Sequence, residues 1–315
     1  MPISENEVYV GKDLGGREIE ITQALVENYH LATGDDHPFY AEGAPGLGLV
    51  APALLFVNEV YAYPGWYLPN FFGNLHARQE WQLLRPIALG ARARTRCTVV
   101  GRYIKRDRDY VVNESLVFDG AGRLACRGRT HQSFLLEAKP ESLTRESRRQ
   151  EKKERPPHPA TLEGKRLAPI ERKITLEMSR AFSGPSENYH TNEEMARQLG
   201  FPKVIVQGML STCLVSELMT REFGLGWYLG GEMSVNLTGI VWAEDTVTTY
   251  ATLTGETLEG SYRRVQAGPS GRKRTMGQRR RQTWPPTRAC FWSAGTRSSQ
   301  SGTGRGWRPS FPRMS

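Results

Sequence analysis

The most regular apolar pattern in the chain runs from Val204 to Phe223, where hydrophobic residues recur on nearly every helical turn. A helix that is apolar around most of its circumference belongs in the interior of a fold. This helix opens on Gln207-Gly208-Met209. Unpaired backbone N–H groups at a helix start, together with the positive end of the helix dipole, can hold a partly negative oxygen. A polar loop with Asn188 and His190 precedes it, so the pattern predicts a buried helix whose N-terminus faces a site lined by that loop.

A similar layout occurs about 150 residues earlier in the chain. A strand predicted at Gly16–Ile21 and a helix at Thr22–Ala32 lead into a polar loop that begins at Gly34 and ends at Tyr40. A second apolar segment follows at Val50–Tyr61. We predict that this segment is the central helix of a first copy and that the two central helices superpose.

Both copies continue with β-branched and aromatic runs separated by turns. The predicted strands are Leu75–Arg85, Gly90–Lys105, Asp109–Asp119 and Arg123–Glu137 in the first copy, and Gly231–Trp242 and Thr246–Gly255 in the second. By analogy two more strands should lie near residues 260 to 290, but that stretch shows no alternation, and the sequence predicts none. Each copy is therefore expected to be an α+β unit, one helix against an antiparallel sheet, with the second sheet incomplete.

Composition divides the 315 residues into four parts. With 38% apolar residues overall, residues 1–140 and 166–266 can fill the cores of two domains. Residues 141–165 mix charged residues of both signs with proline and are predicted to be a solvated linker. Residues 267–315 are rich in Gly, Pro, Ser and Arg and are predicted to be a disordered tail.

The net charge of +9 belongs to this tail alone, because residues 267–315 contain ten arginines and Lys273 but no acidic residue. The rest of the chain carries 31 basic and 33 acidic side chains. Three interpretations of the tail stay open. It could bind RNA or another polyanion, since arginines with interspersed aromatic residues suit phosphate contact and stacking. It could be an ordinary disordered tail, or it could be the product of a shifted reading frame, which would explain why strand-like sequence stops near Val265.

The apolar stretches, the N-terminus and the cysteines of the sequence lead to expectations about compartment, metals and cofactors. The longest apolar stretch, Gly46–Tyr63, is interrupted by Asn58 and Glu59, and the N-terminus lacks a signal-peptide pattern. The four cysteines are widely scattered and form no C-x-x-C pair, namely Cys97, Cys126, Cys213 and Cys290. We expect reduced thiols in a cytoplasmic protein that needs neither a metal nor a cofactor.

The second copy resembles a known family in the order of its motifs. Gly184 to His190, followed by Gly200-Phe201-Pro202 and Gln207-Gly208-Met209, is similar to the hydratase motif of MaoC-like, (R)-specific enoyl-CoA hydratases and dehydratases. That motif reads G-D-x-N-P-x-H and then G-[FL]-x-x-[PV]-I-x-[HQ]-G-M. The first copy resembles the N-terminal dehydratase domain of two-domain members, at His76 to Trp81 and at Arg85-Pro86-Ile87. The resemblance covers about residues 10 to 266 and implies a double hotdog fold.

The resemblance also assigns residue roles. It implies that His190 is the general acid/base and that the helix start provides donors for a thioester oxygen, with Asn188, Gln207, Gly208 and Met209 binding the substrate. The family's aspartate falls on Pro185, which cannot act in its place. Glu187 and the first copy's Asp35 are tentative substitutes, although Tyr40 replaces the histidine partner of Asp35.

Each of these residues also has a purely structural interpretation. His190 could be a packing histidine, and Asn188 could bond the backbone of its own loop, as turn asparagines do. Gly208 could be needed for close helix–sheet approach, and Asp35 could be a turn or cap residue.

The functional hypothesis is a hydratase or dehydratase, a lyase of fatty acid metabolism that acts on an acyl-CoA or acyl-carrier thioester. Two alternatives remain, a degenerate double hotdog that binds acyl thioesters or a protein partner without turnover, and a hotdog thioesterase. A double hotdog already contains the pairing that single-domain relatives achieve by dimerising, so either a monomer or a homodimer is expected. Outside the basic tail nothing indicates nucleic-acid binding, and no membrane contact is expected.

Overall fold

The structure is a computed structural model that describes residues 8–67, 74–105, 108–135, 164–237, 239–259, 262–268 and 292–297. The strands are β1 Asp13–Glu20, β2 Leu75–Leu83, β3 Arg92–Lys105, β4 Arg108–Phe118, β5 Leu124–Leu135, β6 Lys165–Arg166, β7 Ile170–Lys173, β8 Glu232–Asn236, β9 Thr246–Thr249, β10 Thr252–Glu259, β11 Tyr262–Gly268 and β12 Trp292–Arg297. The α-helices are α1 Gln23–Thr33, α2 Leu176–Ser183, α3 Glu193–Gln198, α4 Gly208–Phe223 and α5 Leu225–Gly230, and two short 3₁₀ helices are Pro38–Tyr40 and Glu59–Ala62.

The largest sheet joins the first half of the chain, within residues 8–135, to the second half, within residues 164–297. Its strand order is β1-β3-β4-β5-β2-β8, with every neighbouring pair antiparallel. The first five positions come from the first half, while β8 comes from the second half and pairs with β2 so that Met233 lies opposite Trp81. A four-stranded sheet has the order β12-β11-β10-β6, and β7 pairs with β9. In the first half, strands β2 to β5 begin and end within about two residues of the limits that their alternating sequence predicts.

The opening helices show that the two halves repeat one unit. Helix α1 is N-capped by Thr22, whose hydroxyl accepts from the Leu25 N–H at 3.3 Å. Helix α2 is capped in the same way by Thr175, which accepts from the Met178 N–H at 3.1 Å. Such caps satisfy backbone donors that the helix leaves unpaired. Both helices then end at a glycine, Gly34 and Gly184, as the predicted alignment of the loops requires.

The segment after the first polar loop differs from its prediction. Val50 forms an isolated bridge with Ala88, and Ile205 forms the equivalent bridge with Trp242 in the second half. Beyond this shared position the two halves diverge, because α4 follows in the second half whereas residues 53–58 of the first form turns. The predicted central helix at Val50–Tyr61 is therefore wrong.

Tertiary contacts explain why this segment is not an α-helix. Its backbone closes successive i→i−3 hydrogen bonds, as in Leu55 N–H to the Pro52 carbonyl at 3.0 Å. This tighter geometry carries Glu59, 5% exposed, to Arg17, which donates two hydrogen bonds of 2.6 and 2.8 Å to its carboxylate. Thr95 donates a third at 3.1 Å. A buried carboxylate needs such partners, and local apolar pattern cannot anticipate them.

The second half contains more strands than its sequence predicts. The strand expected at Gly231–Trp242 is shorter and ends at Asn236 in β8. The one expected at Thr246–Gly255 is divided, because β9 pairs with β7 and β10 pairs with β6 and β11.

The expectation that no strand follows Gly255 is also wrong. β10 extends to Glu259, and β11 pairs antiparallel with β12, which also lies beside β8. An uncovered sheet edge leaves backbone N–H and C=O groups unpaired, and these strands satisfy them. The predicted linker, except for its last two residues, and tail residues 269–291 and 298–315 lie outside the described residues.

Helix α4 forms the centre of the core. Five of its apolar side chains are at most 1% exposed, namely Met209, Leu210, Cys213, Leu214 and Met219. They share one apolar cluster with Trp81, Leu83 and Ala125 of the first-half sheet. The three described cysteines are free and buried. Within the described ranges, no helix is both long and apolar enough to cross a bilayer.

Candidate active site

The N-terminus of α4 is the scaffold of the candidate site. Gln207 is its N-cap residue, and the helix begins at Gly208 as the sequence predicts. Within the described ranges, the backbone N–H groups of Gly208 and Met209 donate to no other group. A Cβ on Gly208 would lie 2.7 Å from Leu237 Cδ1, so this position favours glycine because β8 and its continuation approach closely. Two open N–H groups at the positive end of a sixteen-residue helix form a place for a partly negative oxygen.

Asn188 organises the loop that faces this helix start. Its side-chain amide donates to the carbonyls of Ser183 and Ser186, at 3.0 Å each. Its Oδ1 accepts the His190 N–H at 2.8 Å, and its own N–H donates to Thr191 Oγ1 at 2.8 Å. The side chain is thus occupied within its loop, where it holds the His190 backbone. The substrate contact expected from the sequence stays a prediction.

His190 is held with one ring nitrogen fixed and the other open. Nδ1 lies 2.7 Å from the carbonyl oxygen of Ile205, an acceptor, so Nδ1 carries the proton. Nε2 is then a lone-pair acceptor, and in the described part of the chain nothing hydrogen-bonds to it. Burial lowers the pKa of His190 to about 4, although the hydrogen bond to Ile205 opposes this. His190 is therefore a neutral imidazole at neutral pH and can accept a proton.

Among the described residues, no carboxylate hydrogen-bonds to the His190 ring. Pro185 occupies the aspartate's place in the loop. Glu187 is exposed and, among the described residues, makes no ion pair or hydrogen bond through its side chain. Glu193 and Glu194 lie in the first turn of α3, where Glu193 pairs with an arginine one turn on. Charge at a helix start has its own stabilising role, so these two residues need no catalytic explanation.

Asp35 is hydrogen-bonded within the polar loop of the first half. It is 2% exposed, and its carboxylate accepts the Tyr40 hydroxyl at 2.9 Å and the His37 N–H at 3.3 Å. Burial raises its pKa, although both hydrogen bonds oppose this. Arg172 passes over Gly34, whose left-handed φ of 70° and missing side chain leave the guanidinium room.

A buried ionic cluster connects this loop to the middle of α4. Arg172 donates to the Thr33 carbonyl at 2.7 Å and to Glu217 Oε1 at 2.9 Å. Arg221 donates to the same oxygen at 2.6 Å, while Glu217 Oε2 has no partner among the described residues. Glu217 is 0% exposed, and burial, followed by the nearby Asp35 charge, raises its pKa to about 7.

Helix geometry separates this cluster from the candidate site. Glu217 lies nine residues after Gly208, or about 13 Å along the helix axis. Among the described residues, the Asp35 carboxylate is hydrogen-bonded to Tyr40 and to the His37 N–H and not to His190. This cluster was not predicted from the sequence. The i, i+4 spacing of Glu217 and Arg221 is a local signal for part of it, but Arg172 is too distant in the chain to be recognised from spacing.

The first half adds polar groups that sequence reasoning missed. Asn58 donates to the Phe182 carbonyl at 2.8 Å. Gln132 of β5 donates to the Tyr61 hydroxyl at 3.1 Å, and Gln207 Oε1 accepts from the Ser183 hydroxyl at 2.9 Å. Tyr61 and Gln132 are 71 residues apart, so only the folded chain brings them to the start of α4.

Comparison with known sequences identifies the second half. Residues 154–270 match the sequence model of the MaoC like domain. The chain contains a MaoC-like domain. This match spans the loop with His190 and the whole of α4, which are the elements that build the site. No curated protein matches the sequence.

Solved structures that match over most of this chain, including its MaoC-like domain, show its fold. A MaoC-like dehydratase from Phytophthora capsici has a TM-score of 0.62 at 14% identity, covering 95% of this chain and 100% of its own. A double-hotdog protein from Mycobacterium tuberculosis has a TM-score of 0.57 at 13% identity, covering 93% and 97%. The peroxisomal multifunctional enzyme type 2 of Drosophila melanogaster has a TM-score of 0.56 at 16% identity, covering 90% of this chain and 48% of its own. The chain thus has the double hotdog fold.

Proposed function

We propose that this protein adds water to an enoyl thioester, or removes it from the 3-hydroxyacyl thioester, with the acyl group carried on CoA or an acyl carrier. The observation that supports this proposal most directly is the state of His190. Its Nδ1 is fixed on the Ile205 carbonyl, so a neutral Nε2 is left open beside the start of α4. The similarity to MaoC-like dehydratases agrees with this reaction class.

A single base is sufficient for the chemistry. Water adds its oxygen to the β-carbon of the enoyl group, and the α-carbon gains a proton. His190 Nε2 takes the proton from the attacking water and can return it to the α-carbon, so protons and charge balance over the cycle. The negative charge that develops on the thioester oxygen is stabilised by the N–H of Gly208, and one such donor contributes about 10² to 10³ in rate. Gln207 and Met209 are the chain neighbours of this donor on either side.

The first test is hydration of crotonyl-CoA, followed as loss of the enoyl absorbance. His190→Ala should lower turnover by about 10² to 10⁴, the range for a general acid/base group. His37→Ala is a matched control, since His37 occupies the first-half loop, and Asp35→Ala should also matter little for turnover. Equal activity of His190→Ala and wild type would rule out the proposed role.

Pro185 favours a second candidate, a double hotdog that binds acyl thioesters without turnover. Pro185→Asp distinguishes the two, because it returns a carboxylate to the loop five positions before His190. For an active enzyme the variant should raise turnover further, whereas for a binding protein wild type binds butyryl-CoA but shows no hydration. Release of free CoA thiol from either protein would instead indicate a thioesterase.

A further inference from the structure

Tyr61 reaches the candidate site from the opposite half of the molecule. It lies on the 3₁₀ helix Glu59–Ala62 of the first half, and its ring packs edge-on against Trp66 with centroids 5.1 Å apart. Its hydroxyl accepts from Gln132 Nε2 at 3.1 Å and also lies within reach of the Gln207 side chain. Gln207 is the N-cap residue of α4 and directly precedes Gly208, so this hydroxyl contacts a side chain of the helix start.

Counting protons around the Tyr61 oxygen shows that its own proton is uncommitted. Ser183 donates to Gln207 Oε1 at 2.9 Å. A hydrogen bond with the Gln207 side chain lowers the pKa of Tyr61, as a donor to the tyrosine oxygen does, so the Gln207 amide nitrogen is the group that faces Tyr61. Gln132 presents its amide nitrogen too. A tyrosine oxygen that accepts from two amides must direct its O–H toward a third group. No described residue accepts that proton.

Two further observations support a ligand at this position. Gln132 is 1% exposed, and its Oε1 has no hydrogen-bond partner in the described part of the chain. Buried polar atoms are nearly always paired, so this unpaired acceptor calls for a donor that the described residues do not supply, such as a water or the hydroxyl of a 3-hydroxyacyl group. Burial raises the pKa of Tyr61 to about 12, against the two amides, so the hydroxyl keeps its proton at neutral pH.

We infer that the Tyr61 hydroxyl donates a hydrogen bond to the carbonyl oxygen of the bound thioester, beside the N–H of Gly208. This inference rests on the proposed function, since it assumes that a thioester occupies the site. The first half then supplies a donor to the reacting group, and the site is complete only when both halves are present. Tyr61 acts on the same oxygen as Gly208, whereas His190 acts on the water.

The test is a matched pair of tyrosine variants, Tyr61→Phe and Tyr67→Phe. The control removes a hydroxyl that is already paired with Asn113 at 3.1 Å within the first half. The probe is butyryl-CoA carrying carbon-13 at the thioester carbonyl, a saturated ligand that cannot be hydrated. Infrared difference spectroscopy should show the bound carbonyl band at higher frequency in Tyr61→Phe than in wild type, because one hydrogen bond is lost. Tyr67→Phe should leave the band unchanged.

Turnover provides the second readout. With crotonyl-CoA, Tyr61→Phe should lower kcat by about 10² to 10³, the effect of removing one oxyanion donor, and Tyr67→Phe should not. If Tyr61→Phe does not fold, Gln132→Leu is used instead. It removes one donor to the Tyr61 oxygen, which lets the hydroxyl turn away, so a shift of the same sign is expected.

The outcomes separate the two proposals. An identical carbonyl band in wild type and Tyr61→Phe overturns the inference, whatever the turnover. A band that depends on Tyr61 in a wild-type protein that hydrates nothing supports the inference and refutes the hydratase proposal. Failure of wild type to bind both butyryl-CoA and the butyryl thioester of an acyl carrier overturns both.

Discussion

Replacing Glu217 by glutamine should make the protein more stable at alkaline pH. Glu217 is fully buried, and its pKa in the folded chain is about 7 against an ordinary 4.5. Between these two values the folded chain holds a proton that the unfolded chain has released, so stability falls as pH rises. One pKa unit corresponds to about 1.4 kcal/mol, and the loss across this range is therefore about 3 kcal/mol. Glutamine cannot ionise, so the variant does not lose this stability as the pH rises. Its side-chain oxygen can still accept hydrogen bonds from Arg172 and Arg221.

Urea unfolding of wild type and Glu217→Gln at pH 4.5, 6, 7 and 8 measures this effect. At each pH the free energy of unfolding of wild type is subtracted from that of Glu217→Gln. This difference is then compared between pH values, because other titrating groups contribute equally to both proteins. The difference should grow by about 3 kcal/mol in favour of the variant between pH 4.5 and 8. Glu222 lies on the same helix as Glu217 and forms an exposed ion pair with Lys165 of β6. Glu222→Gln removes this pair and should stay within about 1 kcal/mol of wild type throughout. A constant difference between wild type and Glu217→Gln would show that the two arginines outweigh burial.

Two further predictions concern the start of α4 and the last strands. Gly208→Ala should cost about 1 to 3 kcal/mol of stability and lower turnover, because its Cβ would press on Leu237. Adding Leu237→Ala should restore part of the stability in urea unfolding, and no effect of Gly208→Ala alone would contradict the close approach. In hydrogen exchange the amides of residues 262–268 and 292–297 should be protected, because β11 and β12 pair with each other. Rapid exchange across both segments would instead support the strandless tail that the sequence predicts.

The elements that follow from local pattern were predictable. Helix α4 begins and ends close to its predicted limits because Gly208 and the apolar residues after it specify a buried helix. Long alternating runs gave the strands of the first half, such as Arg92–Lys105, with ends within about two residues. The threonine caps of α1 and α2 are likewise local signals.

The elements that depend on distant partners were not predictable. Residues 50–61 have the apolar content of a helix, but the need to pair Glu59 with Arg17 and Thr95 sets a tighter path. Strand β12 lies in a stretch rich in Arg, Gly and Pro, and it pairs because β11 presents an open edge. In the site, the histidine and the glycine follow from motif and spacing, whereas Tyr61 lies on a short 3₁₀ helix with no motif of its own.

The pairing of β2 with β8 has a consequence for how this protein is made. When a ribosome has completed the first half, β2 is still the outer strand of its sheet, and the apolar face that α4 will cover is exposed. About 150 residues separate the two paired strands, so at synthesis rates of about 5 to 20 residues per second this edge waits roughly 10 to 30 seconds for its partner. An open edge of this kind is a site for pairing with other chains. Nascent chains of this protein therefore expose an unpaired strand edge for longer than chains whose domains close one at a time.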